Sequence, residues 1–585
     1  MEIPRLVLRP RTAGSEGQTH QLDKGMTRML AGHSMIRPHF SDCWVNPSVP
    51  AGAEVVEEYS LSDASVRILS LPGGVRTAYH LTPWEYNLPR EWMSVLRRTI
   101  ETLAHRPPPD LGVSYDNLRE YVQRVSPSLL TDISEATHAQ LGASAAETAR
   151  NVKRLSGIVA RYTVGLGIFE LLLSDDRVED IYVDAPSHQN PIHVTVNGVA
   201  GLNTVFKCST NITASEAEIE GLTSRLRQYS KKPFSEAFPT METDIQGFDA
   251  RATVIGPPLS PMGTAVALRR HSRMPWTLPK LAYNGTMSAL AAGLISFLID
   301  GRSTILICGP RGAGKSAMLS AALFEFPLSQ RILTIEDTME LPIRQMQRLG
   351  YKVQSMMVEQ GIGEDREEKT DEALRVSLRL GESAIVLGEV RGKEAQTLYQ
   401  SMRTGKAGSS VLGTIHGDSA RSVYERVVHD IGIPKEAFAA TDIVITMALN
   451  RPRGSQRQVR RLVEVVEYAK DRGPGEFNVL LQYDFAKGRL STLSKARSET
   501  ILRIAESWNM TYQEAIENIQ VRASMREALV DAARMKGTEY LDPEWVSRSN
   551  EFFWQQMDSG NRNYCEIAKV LRDRLLGREE PDGTL

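Results

Sequence analysis

Four short apolar runs recur between helical stretches from about residue 285 to 450: ILIC (305–308), RILTIED (331–337), SAIVLGEV (383–390) and SSVLGTIHG (409–417). Strands alternating with helices predict a mainly parallel sheet, which gathers ligands at the C-terminal ends of its strands. Further on, LVEVVEY (462–468) and FNVLLQYDF (477–485) read as strands, and Glu499 to Leu576 has helical periodicity. Upstream, VEEYSLSDASVRILSL (56–71) predicts a strand pair. Pro89 opens a helix with Trp92, Leu96, Ile100 and Leu103 on one face; PPPD (107–110) then breaks the chain, and SYDNLREYVQRV begins another helix. One long helical pattern is expected over 146–173, with Val152, Leu155, Ile158, Val159 and Tyr162 three and four apart. VEDIYVDAPSHQNPIHVTVNG (178–198) alternates and ends on the hairpin signal Asn197-Gly198. A helix over 215–230 follows, then two strands within 248–271 joined by a Pro/Gly loop, then a Pro-punctuated linker at 275–281.

A chain of 585 residues exceeds one core. The pattern divides it into a flexible arm (1–50), a small α/β module (51–144), an α+β lobe (145–280), an α/β lobe (281–480) and a helical C-terminal extension (481–585). Hydrophobic content of 41% and charged content of 24% are those of a globular protein. A net charge of −2 offers no bulk basic field for nucleic acid, so no direct nucleic-acid partner is expected. Cys43, Cys208, Cys308 and Cys565 are scattered, without C-x-x-C spacing, which predicts neither disulfides nor a zinc site and fits a reducing compartment. The longest apolar helical stretch, Met287–Ile299, is too short to span a bilayer, and the N-terminus lacks a signal-peptide core, so a cytoplasmic location is expected.

Candidate chemistry begins directly after the first apolar run. GPRGAGKS (309–316) fits the phosphate-loop pattern G-x-x-x-x-G-K-[ST]. Gly309, Gly312 and Gly314 allow a tight turn whose N–H groups point at phosphate oxygens, with Pro310, Arg311 and Ala313 between them; Lys315 supplies a mobile positive charge and Ser316 a hydroxyl for Mg²⁺. Ala317 continues into the expected helix. The other apolar runs end in groups suited to nucleotide hydrolysis, which needs a metal, an oriented water and charge neutralisation. Glu336 and Asp337 end the second run, with Glu340 one turn on; a carboxylate there can hold Mg²⁺ through water or take a proton from water. Glu389 follows Gly388 at the end of the third. His416 and Asp418 end the fourth, where an imidazole beside a γ-phosphate can sense it. Arg251, Arg269 and Arg270 lie upstream; spacing alone reads them as solvated surface arginines.

In order, GPRGAGKS, RILTIEDTMELP, LRLGESAIVLGEVRGKEA and GSSVLGTIHGDSA resemble the Walker A, aspartate-box, Walker B and histidine-box motifs of the secretion ATPase superfamily of type II secretion, type IV pili and conjugative type IV secretion. The Gly388-Glu389 pair is that family's usual Walker B ending. GTIHGDSA, VEDIYVDAP and the Arg269-Arg270-His271 stretch look most like its archaeal branch, the motors of archaella and archaeal adhesion pili. The resemblance covers about 150–470 strongly and 55–150 loosely. It implies an α/β fold: a RecA-like P-loop NTPase core, preceded by a PAS-like α+β lobe and the small N-terminal α/β module. It further implies a homo-hexamer binding ATP and Mg²⁺ between lobes, peripheral at the inner face of the cell membrane, with a polytopic membrane platform protein and a pilin or secretion apparatus as partners. On that pattern Glu336 polarises the attacking water, Glu389 supports the metal with Ser316, and His416 couples the γ-phosphate to lobe motion. Arg251, Arg269 and Arg270 reach the nucleotide, some across the subunit boundary, and Arg391 lines the site. The resemblance leaves open whether Glu336 or Glu389 is the base. The four-cysteine zinc motif of bacterial type II relatives is missing. Alternatives within the same core are a conjugation or DNA-uptake ATPase, a nucleic-acid translocase and a non-hydrolysing nucleotide-gated scaffold.

Overall fold

The structure, a computed structural model, describes residues 35–577 apart from 75, 106–114, 200–203, 246, 271–274, 359–363, 382, 393, 404–409, 456–457, 492 and 495. Residues 1–34 of the expected arm, the expected break at 107–110 and His271 lie outside the described residues. The chain divides into two compact units, the first running to Arg273 and the second from Met274 to Leu585.

The first unit is built on β1 (Cys43–Val45), β2 (Glu54–Ser60), β3 (Ala64–Ser70), β4 (Thr77–Pro83), β5 (Val178–Val183), β6 (Pro191–Asn197), β7 (Thr204–Ala214), β8 (Thr240–Ile245), β9 (Ala250–Ile255) and β10 (Ala265–Arg270). They form one sheet in the order β2-β3-β4-β7-β6-β5-β10-β9-β8, antiparallel except where Thr77–Tyr79 of β4 runs parallel to Cys208–Thr210 of β7. Through that pairing, strands from before and after residue 145 share one ladder. Order also begins before residue 50: β1 pairs with β7, and Cys43 and Val45 are buried. Helices Arg90–Ala104, Tyr115–Ala136 and Ala145–Thr163 pack through Leu96, Leu118, Leu130, Leu155 and Ile158. The helix expected over 146–173 stops at Thr163, and a short one resumes at Phe169. Between them Glu170 folds back to accept the Leu166 amide at 2.9 Å, taking the space a Cβ at residue 165 would occupy.

The second unit contains β11 (Ile305–Cys308), β12 (Arg331–Glu336), β13 (Lys352–Met357), β14 (Ala384–Val390), β15 (Ser410–Ile415), β16 (Ile443–Asn450), β17 (Gln458–Tyr468) and β18 (Phe477–Asp484). The order β13-β12-β14-β15-β11-β16 is parallel throughout, and β17 and β18 extend it antiparallel. This is a RecA-like α/β core. Because β11, β12, β14 and β15 run the same way, their C-terminal ends share one edge.

The C-terminal helices Glu499–Ser507, Tyr512–Lys536, Pro543–Asp558 and Tyr564–Leu576 belong to this unit's main core, where Ile501, Ile519, Met525, Phe553 and Leu571 join Leu294, Phe297, Met318 and Leu319. Helix Tyr512–Lys536 crosses helix Ala289–Asp300 so closely that a Cβ at Gly293 would lie 2.5 Å from the Ala523 nitrogen. The contact is polar as well as apolar. Arg526 pairs with Glu325, both side chains essentially buried, and reaches Ser296 Oγ at 3.0 Å and Asn550 Oδ1 at 2.5 Å. Asn550 donates in turn to the Phe324 carbonyl at 3.0 Å, just past the helix Lys315–Leu323. Among the described residues no helix is long and apolar enough to cross a membrane.

Candidate functional site at the strand ends

The apolar run of β11 ends at Cys308 and the chain turns through Gly309–Gly314 into the helix Lys315–Leu323. Gly309 cannot be replaced without rebuilding this turn. Its φ is +156°, and a Cβ there would stand 2.4 Å from the Met447 carbonyl of β16. Gly314 holds φ at +94° as the helix N-cap. Pro310 and Arg311 are exposed, Ala313 is buried, and Gly312, Ser316 and Ala317 are half-buried. The Lys315 ammonium donates to the Gly309 and Pro310 carbonyls at 2.8 and 3.2 Å. The loop is therefore a nest of backbone N–H groups at a helix N-terminus with a lysine folded over it, which suits a polyphosphate.

Glu336 is the last residue of β12 and is only 3% exposed. Its Oε1 accepts the amides of Glu340 and Leu341 at 2.9 and 3.0 Å, while Oε2 is buried without a partner. Burial pushes its pKa up to about 7, against the two amide bonds, which favour the carboxylate.

Glu389 lies where the β14–β15 register shifts between Leu387 and Val390, and the Thr414 hydroxyl holds the Gly388 carbonyl at 2.5 Å. Such an irregularity re-aims a side chain out of the pleat. One Glu389 oxygen faces His416 Nε2 at 2.9 Å; the other pairs with Arg391, whose Nε donates at 2.6 Å. Arg391 also reaches Asp337 at 3.3 Å, and the Glu394 carboxylate fixes its backbone by accepting the amides of Arg391 and Gly392. Burial, the Lys315 charge and nearby arginines lower the His416 pKa, and Glu389 opposes them. Lowering of its pKa favours the neutral ring beside the Glu389 carboxylate.

The phosphate loop, Glu336, Glu389 with Arg391, and His416 accordingly meet at one edge of the second unit. Arg251, Arg269 and Arg270 belong to the first unit. Arg251 and Arg269 face each other across β9 and β10; Arg251 pairs with Glu242, Arg269 is exposed, and Arg270 binds Asp176 at 2.7 Å and the Val178 carbonyl at 3.0 Å. One contact at the loop has no counterpart among the residues singled out from sequence. Arg460 of β17 donates through Nε to the Gly312 carbonyl at 2.8 Å. Among the described residues no group of three or more His, Cys, Asp and Glu side chains could hold a metal. A Mg²⁺ here would rest on Ser316, Glu389 and the phosphates themselves, in keeping with how sparingly Mg²⁺ uses protein ligands.

Comparison with known proteins agrees with this geometry. The family model for type II/IV secretion system proteins matches residues 169–541, more than half of the chain. A Mycobacterium tuberculosis protein named for conjugal transfer is 31% identical over 268 residues, covering 45% of this chain and 72% of that protein. An uncharacterised protein of Methanocaldococcus jannaschii is 27% identical over 314 residues, 53% of each chain. Among solved structures, the Legionella pneumophila ATPase DotB is distantly similar, at 17% identity and a TM-score of 0.38 over 66% of this chain and 91% of its own. With this match over more than half of the chain, and the phosphate loop inside it, the chain belongs to the type II/IV secretion system protein family.

Proposed function

We propose that the chain is an ATP-hydrolysing motor subunit, working as a homo-hexamer at the inner face of the cell membrane. Through a polytopic platform protein it powers assembly of a type IV pilus- or archaellum-like filament, or type II/IV-like secretion. The observation that carries this is the convergence of Glu336, the Glu389–His416–Arg391 cluster and the phosphate loop on one sheet edge. The loop amides and Lys315 hold the phosphates. Ser316, with Glu389 through water, would hold Mg²⁺, which when bound neutralises charge on the phosphate oxygens. Glu336 presents a buried oxygen with no other partner, and its raised pKa leaves it able to accept a proton near neutral pH. This favours Glu336 over Glu389 as the base, because both Glu389 oxygens are already paired. His416 then links the γ-phosphate to Glu389. Arg251, Arg269 and Arg270 complete the site from the first unit of the same or a neighbouring subunit.

A conjugation-type role is the second reading, favoured by the name of the mycobacterial relative. Stimulation of turnover by single-stranded DNA, rather than by a membrane platform domain, distinguishes it. The core reading is tested by Lys315→Ala. The variant is expected to lose Mg²⁺-dependent ATP hydrolysis with its thermal unfolding unchanged. Near-normal turnover would contradict the assignment.

A further inference from the structure

A phosphate loop works by turning successive N–H groups inward, so its carbonyls must point outward and find partners elsewhere. The Lys315 ammonium holds the Gly309 and Pro310 carbonyls. The Gly312 carbonyl, at the middle of the loop, is held from outside the loop and its helix. Arg460 Nε donates to it at 2.8 Å, from 148 residues further along the chain. The arginine's stem runs along the same loop, its Cδ 3.6 Å from where a Cβ on Gly314 would stand. The strand delivering it is firmly placed. β17 pairs along β16, with Leu449 opposite Arg460, and four residues on Glu464 accepts the Thr446 hydroxyl at 2.8 Å and the Ala420 amide at 3.0 Å. One strand thereby touches the phosphate loop through Arg460 and, through Glu464, the first turn of the helix Ala420–Glu425 that follows His416.

We propose that Arg460 is a positioning residue of the nucleotide site. Its Nε–H anchors the outward Gly312 carbonyl and so keeps the loop N–H groups turned toward the phosphates. The inference rests on the nucleotide-binding reading above and goes beyond its motif residues. A charged donor on one carbonyl of the turn stabilises the binding-competent loop rather than the reacting atoms. Its loss therefore weakens binding of every nucleotide that uses the loop and leaves chemistry at saturation nearly intact.

The test measures the Kd for a Mg²⁺-bound non-hydrolysable ATP analogue and for ADP, with KM and kcat, on the full chain carrying Arg460→Ala and Arg460→Lys. Thermal unfolding without nucleotide monitors the fold. For Arg460→Ala, Kd and KM are expected to rise together by about tenfold or more, the size expected for losing a charge-assisted hydrogen bond. kcat at saturating ATP is expected to stay within about threefold. Lys, which keeps the charge and stem but lacks the Nε–H, is expected to fall between, and it serves as the reading if the alanine variant does not fold. Wild-type protein that binds while Arg460→Ala or Arg460→Lys binds as tightly would overturn the inference alone. Loss of kcat with unchanged Kd would also overturn it. Wild-type protein that binds neither nucleotide would overturn the nucleotide reading beneath it.

Discussion

Glu336 sits at the end of its strand with one oxygen bonded to two amides and the other bonded to nothing, in a place nearly closed to water. Such a carboxylate costs stability whenever it is ionised. Its pKa of about 7 in the folded chain lies above its ordinary value of 4.5. Between those values the folded state binds more protons than the unfolded one, so stability falls as pH rises from about 4.5 to about 7 and stays lowered above that. Glu336→Gln keeps an oxygen for the two amides and removes the charge. It is expected to stabilise the protein by about 3 kcal/mol at pH 8, the shift at 1.36 kcal/mol per pKa unit, with almost no gain at pH 4.5. Urea unfolding at the two pH values checks this; an equal effect at both would show that the buried charge is not the cause. With the base role proposed for Glu336, such a cost is the usual trade between stability and activity.

At the scale of elements, the C-terminal helices are bound into the core of the second unit rather than appended to it. Arg526 and Glu325 form a pair at 1% and 0% side-chain exposure that ties helix Tyr512–Lys536 to the segment just after the phosphate-loop helix. Arg526→Ala strands the Glu325 carboxylate in the core and is expected to cost about 3–5 kcal/mol in unfolding free energy, as breaking a buried pair does. A loss under about 1 kcal/mol would mean that the tail folds apart from the lobe. This dependence was hidden in the sequence, where the tail shows amphipathic helices and ample charge but not what covers their apolar faces. The strands were more legible. ILIC, RILTIE, AIVLGEV and SVLGTI are apolar because parallel strands are covered on both faces, and Glu336, Glu389 and His416 stand out as the polar residues where those runs stop. Lys352–Met357, with Lys352, Gln354 and Met357 exposed at the sheet edge, gave no such run, and neither the β4–β7 pairing nor the Arg460–Gly312 contact has a local signal. Each depends on pairing between segments far apart in sequence.

At the scale of the whole molecule, the family assignment and the site together suit the motor proposed above. The second unit carries a phosphate loop with Glu336, Glu389 and His416 at one sheet edge, and the first unit carries arginines that lie in sheet positions beside carboxylates. In the proposed hexamer, ATP binding and loss of the γ-phosphate alternate at the sheet edge of the second unit, so that hydrolysis becomes motion. That account requires turnover, not binding alone, and the turnover must run through Glu336. The decisive measurement is phosphate release from Mg²⁺-ATP by wild-type and Glu336→Gln protein, alongside their affinities for ATP. The account predicts that the variant binds ATP as tightly as wild type yet turns it over at least ~10²-fold more slowly, as loss of a general base implies. Turnover by the variant at the wild-type rate would contradict it.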